Sequence, residues 1–158
     1  MDCKEFHTVR GYQLLEQNKK QLTSAMEDYL EMICRNSEQE NFMRMNKLAE
    51  LLNVKASSAS KMVQKLGELG MLKYEKYGII ILTEDGKELG RYLLYRHKVI
   101  EDFLKAIGIK ESLLIETELI EHNISPNTLK KIRMLYEFLT GSPEILKKLE
   151  EFRRMYEH

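Results

Sequence analysis

Six side chains with oxygen or imidazole donors stand out along this chain: Asp28 and Glu31, then His97, then Glu118, Glu121 and His122. The first pair is spaced i, i+3, and the last three i, i+3 and i+4. At those intervals residues project from one side of a helix. Two imidazoles and four carboxylates form a mixed N/O donor set of intermediate hardness. Such a set suits a borderline-hard divalent ion such as manganese or ferrous iron, and it lacks the thiolates that select zinc or copper(I).

Each group also has a plainer reading. Asp28 and Glu31 fit the solvated face of an amphipathic helix, and His97, after Tyr95-Arg96, fits a surface or interdomain histidine. The segment around Glu118 is less easily set aside. On a helical projection Glu118 falls between Leu114 and Ile115, with Glu121 and His122 beside it, so charged groups extend an apolar side. An uncompensated carboxylate there is expensive, and a cation or proton partner is expected. A metal ion or a salt bridge to Arg96 would each serve.

The elements that must hold these residues follow from the hydrophobic pattern. Residues 1–22 show weak periodicity and read as an N-terminal arm, with a short helix near Tyr12 to Lys20. From Thr23 a helix is expected, since Leu22, Met26, Tyr29, Leu30 and Ile33 make one apolar stripe with Asp28 and Glu31 roughly opposite its middle. Ser37 to Asn41 is a polar loop. A short helix from Met45 to Leu52, a turn at Asn53-Val54-Lys55, and a second helix from Ser57 to Leu69 come next, with Ser57 or Ser58 as N-cap and Gly70 as the stop. Tyr74 to Leu82 reads as a β-hairpin. Helix, turn, helix, hairpin is the order of a winged helix-turn-helix.

Thr83 caps a further helix without a breaker from about Glu84 to Ala106, and about 23 residues span roughly 35 Å, enough to leave one domain and enter another. Gly108 ends it. A helix from Lys110 to His122 follows, then two that start at Ser125-Pro126 and Ser142-Pro143, each an N-cap with proline at the first helical position. The expected fold is mainly α: a winged helix-turn-helix with a small β-hairpin wing, then an all-helical dimerisation domain. Its boundaries are an arm over 1–22, the DNA-binding domain over 23–96, and the metal-binding and dimerisation domain over 97–158.

The 158 residues are 43% apolar and 32% charged, as in an ordinary soluble globular protein. No apolar run reaches the roughly 18 residues of a membrane span, and the N-terminus lacks a secretory layout. Two cysteines, Cys3 and Cys34, read as plain thiols of a reducing cytosol. The formal net charge is zero, yet residues 43–77 carry seven Lys/Arg against three Glu, while residues 1–42 carry five against eight acids. Basic charge therefore gathers on the segment with a DNA-binding layout. In a helix-turn-helix the start of the second helix meets base edges, here Ser57, Ser58, Ser60 and Lys61, with Gln64 and Lys65 one turn on. Lys73, Lys76 and Tyr77 on the wing would meet phosphates. A modest basic excess implies weak binding by one copy, so a dimer reading two half-sites is expected.

At these residues the chain resembles the diphtheria toxin repressor family of metal-dependent transcriptional regulators, in its short manganese transport regulator branch. The motifs are Ser24-Ala25-Met26-Glu27-Asp28-Tyr29-Leu30-Glu31, Lys61-Met62-Val63-Gln64-Lys65-Leu66, Tyr74-Glu75-Lys76-Tyr77 with Leu82-Thr83, Tyr95-Arg96-His97, and Glu118-Leu119-Ile120-Glu121-His122. The resemblance runs from about Ser24 to the C-terminus. It implies a cytoplasmic homodimer that represses metal-uptake genes by binding double-stranded operator DNA. It also implies two Mn²⁺ per subunit, with Fe²⁺ as an alternative, held by Asp28, Glu31, His97, Glu118, Glu121 and His122. The iron-responsive branch is known for methionine at the position of Asp28, and a carboxylate, harder than a thioether, favours manganese.

The chain departs from the family in three places. Some 22 residues precede the metal-binding helix, Asn123 stands where a second histidine can occur, and the interval from His97 to Glu118 is one residue shorter. No SH3-like third domain is expected. Three other functions compete with a manganese repressor: a regulator of the same fold tuned to iron, a carboxylate-bridged di-metal enzyme, and a metal-independent DNA- or protein-binding module. No nucleophile–base arrangement supports the enzyme, and it would leave the winged helix unexplained.

Overall fold

A computed structural model describes residues 3–37 and 40–157, with side chains from residue 9 onward. The expectation for Cys3, and part of those for the arm and for the loop after Ser37, lie outside the described residues. The chain divides into two compact units, Met1–Tyr95 and Arg96–His158. In order the elements are α1 (Cys3–Asn18), α2 (Ser24–Ser37), β1 (Met43–Arg44), α3 (Met45–Leu51), α4 (Ala56–Glu68), β2 (Leu72–Glu75), β3 (Ile79–Leu82), α5 (Glu84–Ile107), α6 (Leu113–Glu121), α7 (Pro126–Thr140) and α8 (Pro143–Tyr156).

The first unit is a winged helix-turn-helix. Met26, Tyr29, Leu30 and Ile33 of α2, Leu48 of α3, Ala59, Val63 and Leu66 of α4, Ile80 of β3, and Leu89 and Leu93 of α5 form one apolar core. The turn between α3 and α4 depends on Asn53, whose φ of 51° is tolerated by a short polar side chain. The wing is a three-stranded antiparallel sheet in the order β1-β3-β2, with Tyr74 opposite Ile80 and Met43 opposite Ile80 on the other edge. The hairpin was expected. The two-residue β1 was not, because two residues are too few to show an alternation. At the tip Tyr77 and Gly78 both have positive φ, 64° and 74°. That tight reversal presents the Tyr77 side chain at 91% exposure.

Two local expectations are corrected here. Helix α4 begins at Ala56 with Lys55 as its N-cap and no side-chain cap, so Ser57 and Ser58 lie within the first turn, where their hydroxyls point outward. Helix α1 runs over Cys3–Asn18, not Tyr12 to Lys20. Its periodicity is weak because it docks through few residues. Leu14 enters the core, and the Tyr12 ring lies 5.9 Å from that of Tyr92. Arg10 pairs with Asp85 at 3.2 Å. The contact centres on Gly11, where an added Cβ would stand 2.4 Å from Cβ of Tyr92 and 2.5 Å from the carbonyl oxygen of Glu88. A glycine weakens a helix, but here its missing Cβ is what admits so close a neighbour.

Thr83 caps α5 as expected, its hydroxyl accepting from the Gly86 amide at 3.1 Å. The helix enters the second unit at Arg96 and ends at Gly108, whose φ of 106° suits glycine. Helix α6 is shorter than expected, starting at Leu113. Ser125 caps α7 by accepting from the Thr128 amide at 3.2 Å. Ser142 precedes Pro143 at the start of α8 but makes no side-chain cap, so the proline alone sets that start. Much of the apolar surface of the last two helices is uncovered in a single chain: Met134, Leu135, Phe138, Phe152 and Met155 are all exposed. Among the described residues no helix is long and apolar enough to cross a membrane.

The Gly11 contact makes a direct test. Gly11→Ala should lower the melting temperature, with overpacking costs of about 1–3 kcal/mol exceeding the gain in helix propensity. A stabilised Gly11→Ala protein in a thermal melt would show that α1 is not seated this tightly.

Candidate metal centre and DNA-reading face

Helix α2 presents two of the six donors. Thr23 Oγ1 accepts from the Met26 amide at 3.3 Å, capping the helix just ahead of the acidic pair. Once Met26, Tyr29, Leu30 and Ile33 are committed to the core, Asp28 and Glu31 must lie away from it. Asp28 is half-buried and Glu31 is buried. Arg35, one turn on, donates from Nη2 to Glu31 Oε1 at 2.5 Å.

The second unit brings the other four donors together. His97 Nδ1 lies 2.8 Å from Glu121 Oε2 and 3.9 Å from Glu118 Oε1. His122 Nε2 is 3.7 Å from Glu121 Oε1 and 4.0 Å from Glu118 Oε2. A carboxylate only accepts, so Nδ1 of His97 carries the shared proton. Arg96 Nη2 is 3.3 Å from His122 Nδ1. Because a guanidinium only donates, that nitrogen is the acceptor and the remaining ring proton sits on Nε2.

Helix α6 has the reverse of ordinary amphipathicity. Leu114, Ile115 and Leu119 are exposed, at 62%, 64% and 65%, while Thr117 and Glu121 have no exposed surface. Thr117 satisfies its hydroxyl by donating to the Leu113 carbonyl at 2.7 Å. Glu121 does less well: its buried Oε1 has no hydrogen-bond partner. Burying a carboxylate so incompletely satisfied costs stability unless a cation joins it. Glu118, Glu121 and His122 offer ligand atoms within 4.8 Å of one another. Donors sharing one ion stand no more than two metal–ligand bonds apart, about 4–5 Å, so these three residues suit a divalent ion.

On α4 the exposed residues Ser57, Ser58, Lys61, Gln64 and Lys65 recur at helical spacing, opposite buried Ala59, Val63 and Leu66; Ser60 is half-buried at the edge. Lys73, Lys76 and Tyr77 are exposed on the wing. Two neighbouring cations escaped the sequence reading. Lys55 was assigned to a turn and is the exposed N-cap residue of α4, and exposed Arg44 lies on the unanticipated β1. Arg35 was also passed over, although its i+4 spacing from Glu31 was the available signal.

Without metal the Glu121 carboxylate is a burden on the fold. Glu121→Gln keeps an acceptor for His97 and removes the buried charge. In chelator its thermal stability should therefore equal or exceed that of the parent, by up to about 1–2 kcal/mol. A large loss of stability would mean that the carboxylate serves the structure instead.

The chain matches known proteins over most of its length. Residues 21–80 match the iron-dependent repressor N-terminal DNA-binding domain, and residues 83–150 the iron-dependent repressor metal-binding and dimerisation domain. It is 41% identical over 129 residues to the HTH-type transcriptional regulator MntR of Lysinibacillus sphaericus, covering 81% of this chain and 93% of that one. To the regulator of the same name from Bacillus subtilis it is 39% identical over 137 residues, 86% of this chain and 96% of that one. Among solved structures, the manganese regulator SloR gives a TM-score of 0.63 at 28% identity, over 72% of this chain and 54% of that one. The metal-dependent transcriptional regulator MtsR gives 0.65 at 29%, with the same coverage. The chain thus spans about half the length of those two structures. Helix α1 precedes the matched DNA-binding domain. These relatives are transcriptional regulators, not enzymes. The chain belongs to the iron-dependent repressor family, the diphtheria toxin repressor family that its motifs resemble, and is a regulator with a DNA-binding domain followed by a metal-binding and dimerisation domain.

Proposed function

We propose that this protein is a manganese-activated repressor of metal-uptake genes, acting in the cytoplasm as a homodimer on operator DNA. The observation that carries the reading is the fully buried Glu121 carboxylate, grouped with His97, Glu118 and His122 on a helix whose apolar residues face outward. Asp28 and Glu31 of α2 complete the donor set, giving positions for two ions per subunit. When bound, the ion would supply positive charge to the carboxylates, and it would do so only once the imidazoles are deprotonated. With carboxylate oxygens in the majority and no thiolate, the set favours Mn²⁺; Fe²⁺ is the nearest competitor.

In this reading the chain is an arm over 1–22, a DNA-binding domain over 23–96 and a helical metal-binding and dimerisation domain over 97–158. Ser57, Ser58, Ser60, Lys61, Gln64 and Lys65 meet the major groove. Lys73, Lys76 and Tyr77 hold the backbone of the DNA. The uncovered apolar residues of α6 to α8 suit burial against a second copy, which places two recognition helices on two half-sites. Metal capture by donors from both domains would restrict the angle between them, so that only the loaded dimer fits its operator.

Titration of operator DNA with chelated protein, and then with Mn²⁺, Fe²⁺ or Zn²⁺ added separately, checks the proposal. Mn²⁺ should tighten binding by about 5- to 150-fold, the usual range of an allosteric coupling. His97→Ala and Glu121→Ala should each abolish that response and leave a folded dimer. An unchanged metal response in both variants would discard the site, and equal DNA affinity with and without metal would discard the switch. On the dimer face, Ile115→Glu should shift the protein toward monomer in analytical ultracentrifugation and weaken operator binding. A variant that sediments as a dimer like the parent would remove α6 from the interface.

A further inference from the structure

Resting on that reading of the site, we infer that Arg35 is a built-in competitor of the metal, lowering the affinity of the donor set by occupying Glu31 in the metal-free protein. Glu31 and Arg35 lie one turn apart on α2, with the acid N-terminal to the base, the favourable orientation for such a pair. Arg35 Nη2 donates a charge-assisted hydrogen bond to Glu31 Oε1. The carboxylate is only 9% exposed, so water screens the pair less than it would an ordinary surface pair. The guanidinium is 48% exposed. It therefore has room to leave.

That asymmetry sets the direction of the effect. Glu31 is fixed by its place on the helix beside the core, whereas Arg35 reaches it from solvent on a long stem. An ion that takes Glu31 must break or share the bond, and a positive charge stays nearby even if the side chain swings outward. Both consequences weaken metal binding. Arg35 thus sets the concentration of metal at which the regulator responds. It also keeps Glu31 neutralised while the site is empty, which lets a buried carboxylate wait without disturbing α2.

The full-length protein, titrated with Mn²⁺ by calorimetry and by the electron paramagnetic resonance of free Mn²⁺, provides the test. Arg35→Gln retains a polar side chain at a half-exposed position and removes the charge. It should tighten Mn²⁺ binding about tenfold, the effect of deleting one cation a few ångströms from a divalent ion at a partly solvated site. Arg35→Lys retains the charge and should bind close to the parent. Glu31→Gln separates the two levels of the argument by losing Mn²⁺ affinity if Glu31 is a ligand. Arg35→Gln with unchanged or weakened affinity, beside a Glu31→Gln variant that loses affinity, overturns the competition alone. Glu31→Gln that binds Mn²⁺ as the parent does overturns both the competition and the assignment of Glu31.

Discussion

A carboxylate with no exposed surface is the constraint around which the second unit is organised. Glu121 is completely buried, one of its oxygens has no hydrogen-bond partner, and the other accepts a hydrogen bond from His97 Nδ1. Apolar packing of the same volume would serve the fold as well or better. Keeping a carboxylate here costs stability unless a cation joins it. The surrounding groups follow the same logic. His97 presents Nδ1 to the carboxylate, while His122 and Glu118 bring further donors within a few ångströms.

The helices make that arrangement possible by yielding their usual preferences. Helix α6 turns Leu114, Ile115 and Leu119 outward, a pattern that is unfavourable for an isolated chain and sensible for a domain whose family function includes dimerisation. Helix α2 does the opposite, spending its apolar stripe on the core of the first unit and leaving its acidic side for other work. On α6 the buried polar side and the exposed apolar side are therefore distinct.

Much of this was legible in the sequence, and the reasons for the exceptions are specific. The six donors and the helix-turn-helix stood out because helical periodicity ties residue type to residue spacing. The order of helices, hairpin and proline-started helices followed from the same rule with its punctuation. Helix α1 was underestimated because its periodicity is weak: it docks through few residues, and Gly11 at its closest approach to Tyr92 adds nothing to an apolar stripe. Strand β1 was too short to show a period. The N-cap expected at Ser57 or Ser58 falls instead on Lys55, and Ser142 is the N-cap of α8 without the side-chain bond, because a capping residue type marks a helix start only loosely. The exposure of Leu135, Phe138 and Phe152 could not be read from periodicity, which marks an apolar face without saying what covers it. Nor did the one-turn spacing reveal that Arg35 holds Glu31, since most such pairs are weak and solvated.

Anomalous scattering at the manganese edge, from crystals of the Mn²⁺-loaded protein, addresses the central claim most directly. The account predicts peaks whose coordination shell draws on Asp28 or Glu31 as well as on His97, Glu118, Glu121 or His122. Manganese held by residues of one domain alone, or absent from these donors altogether, would contradict it.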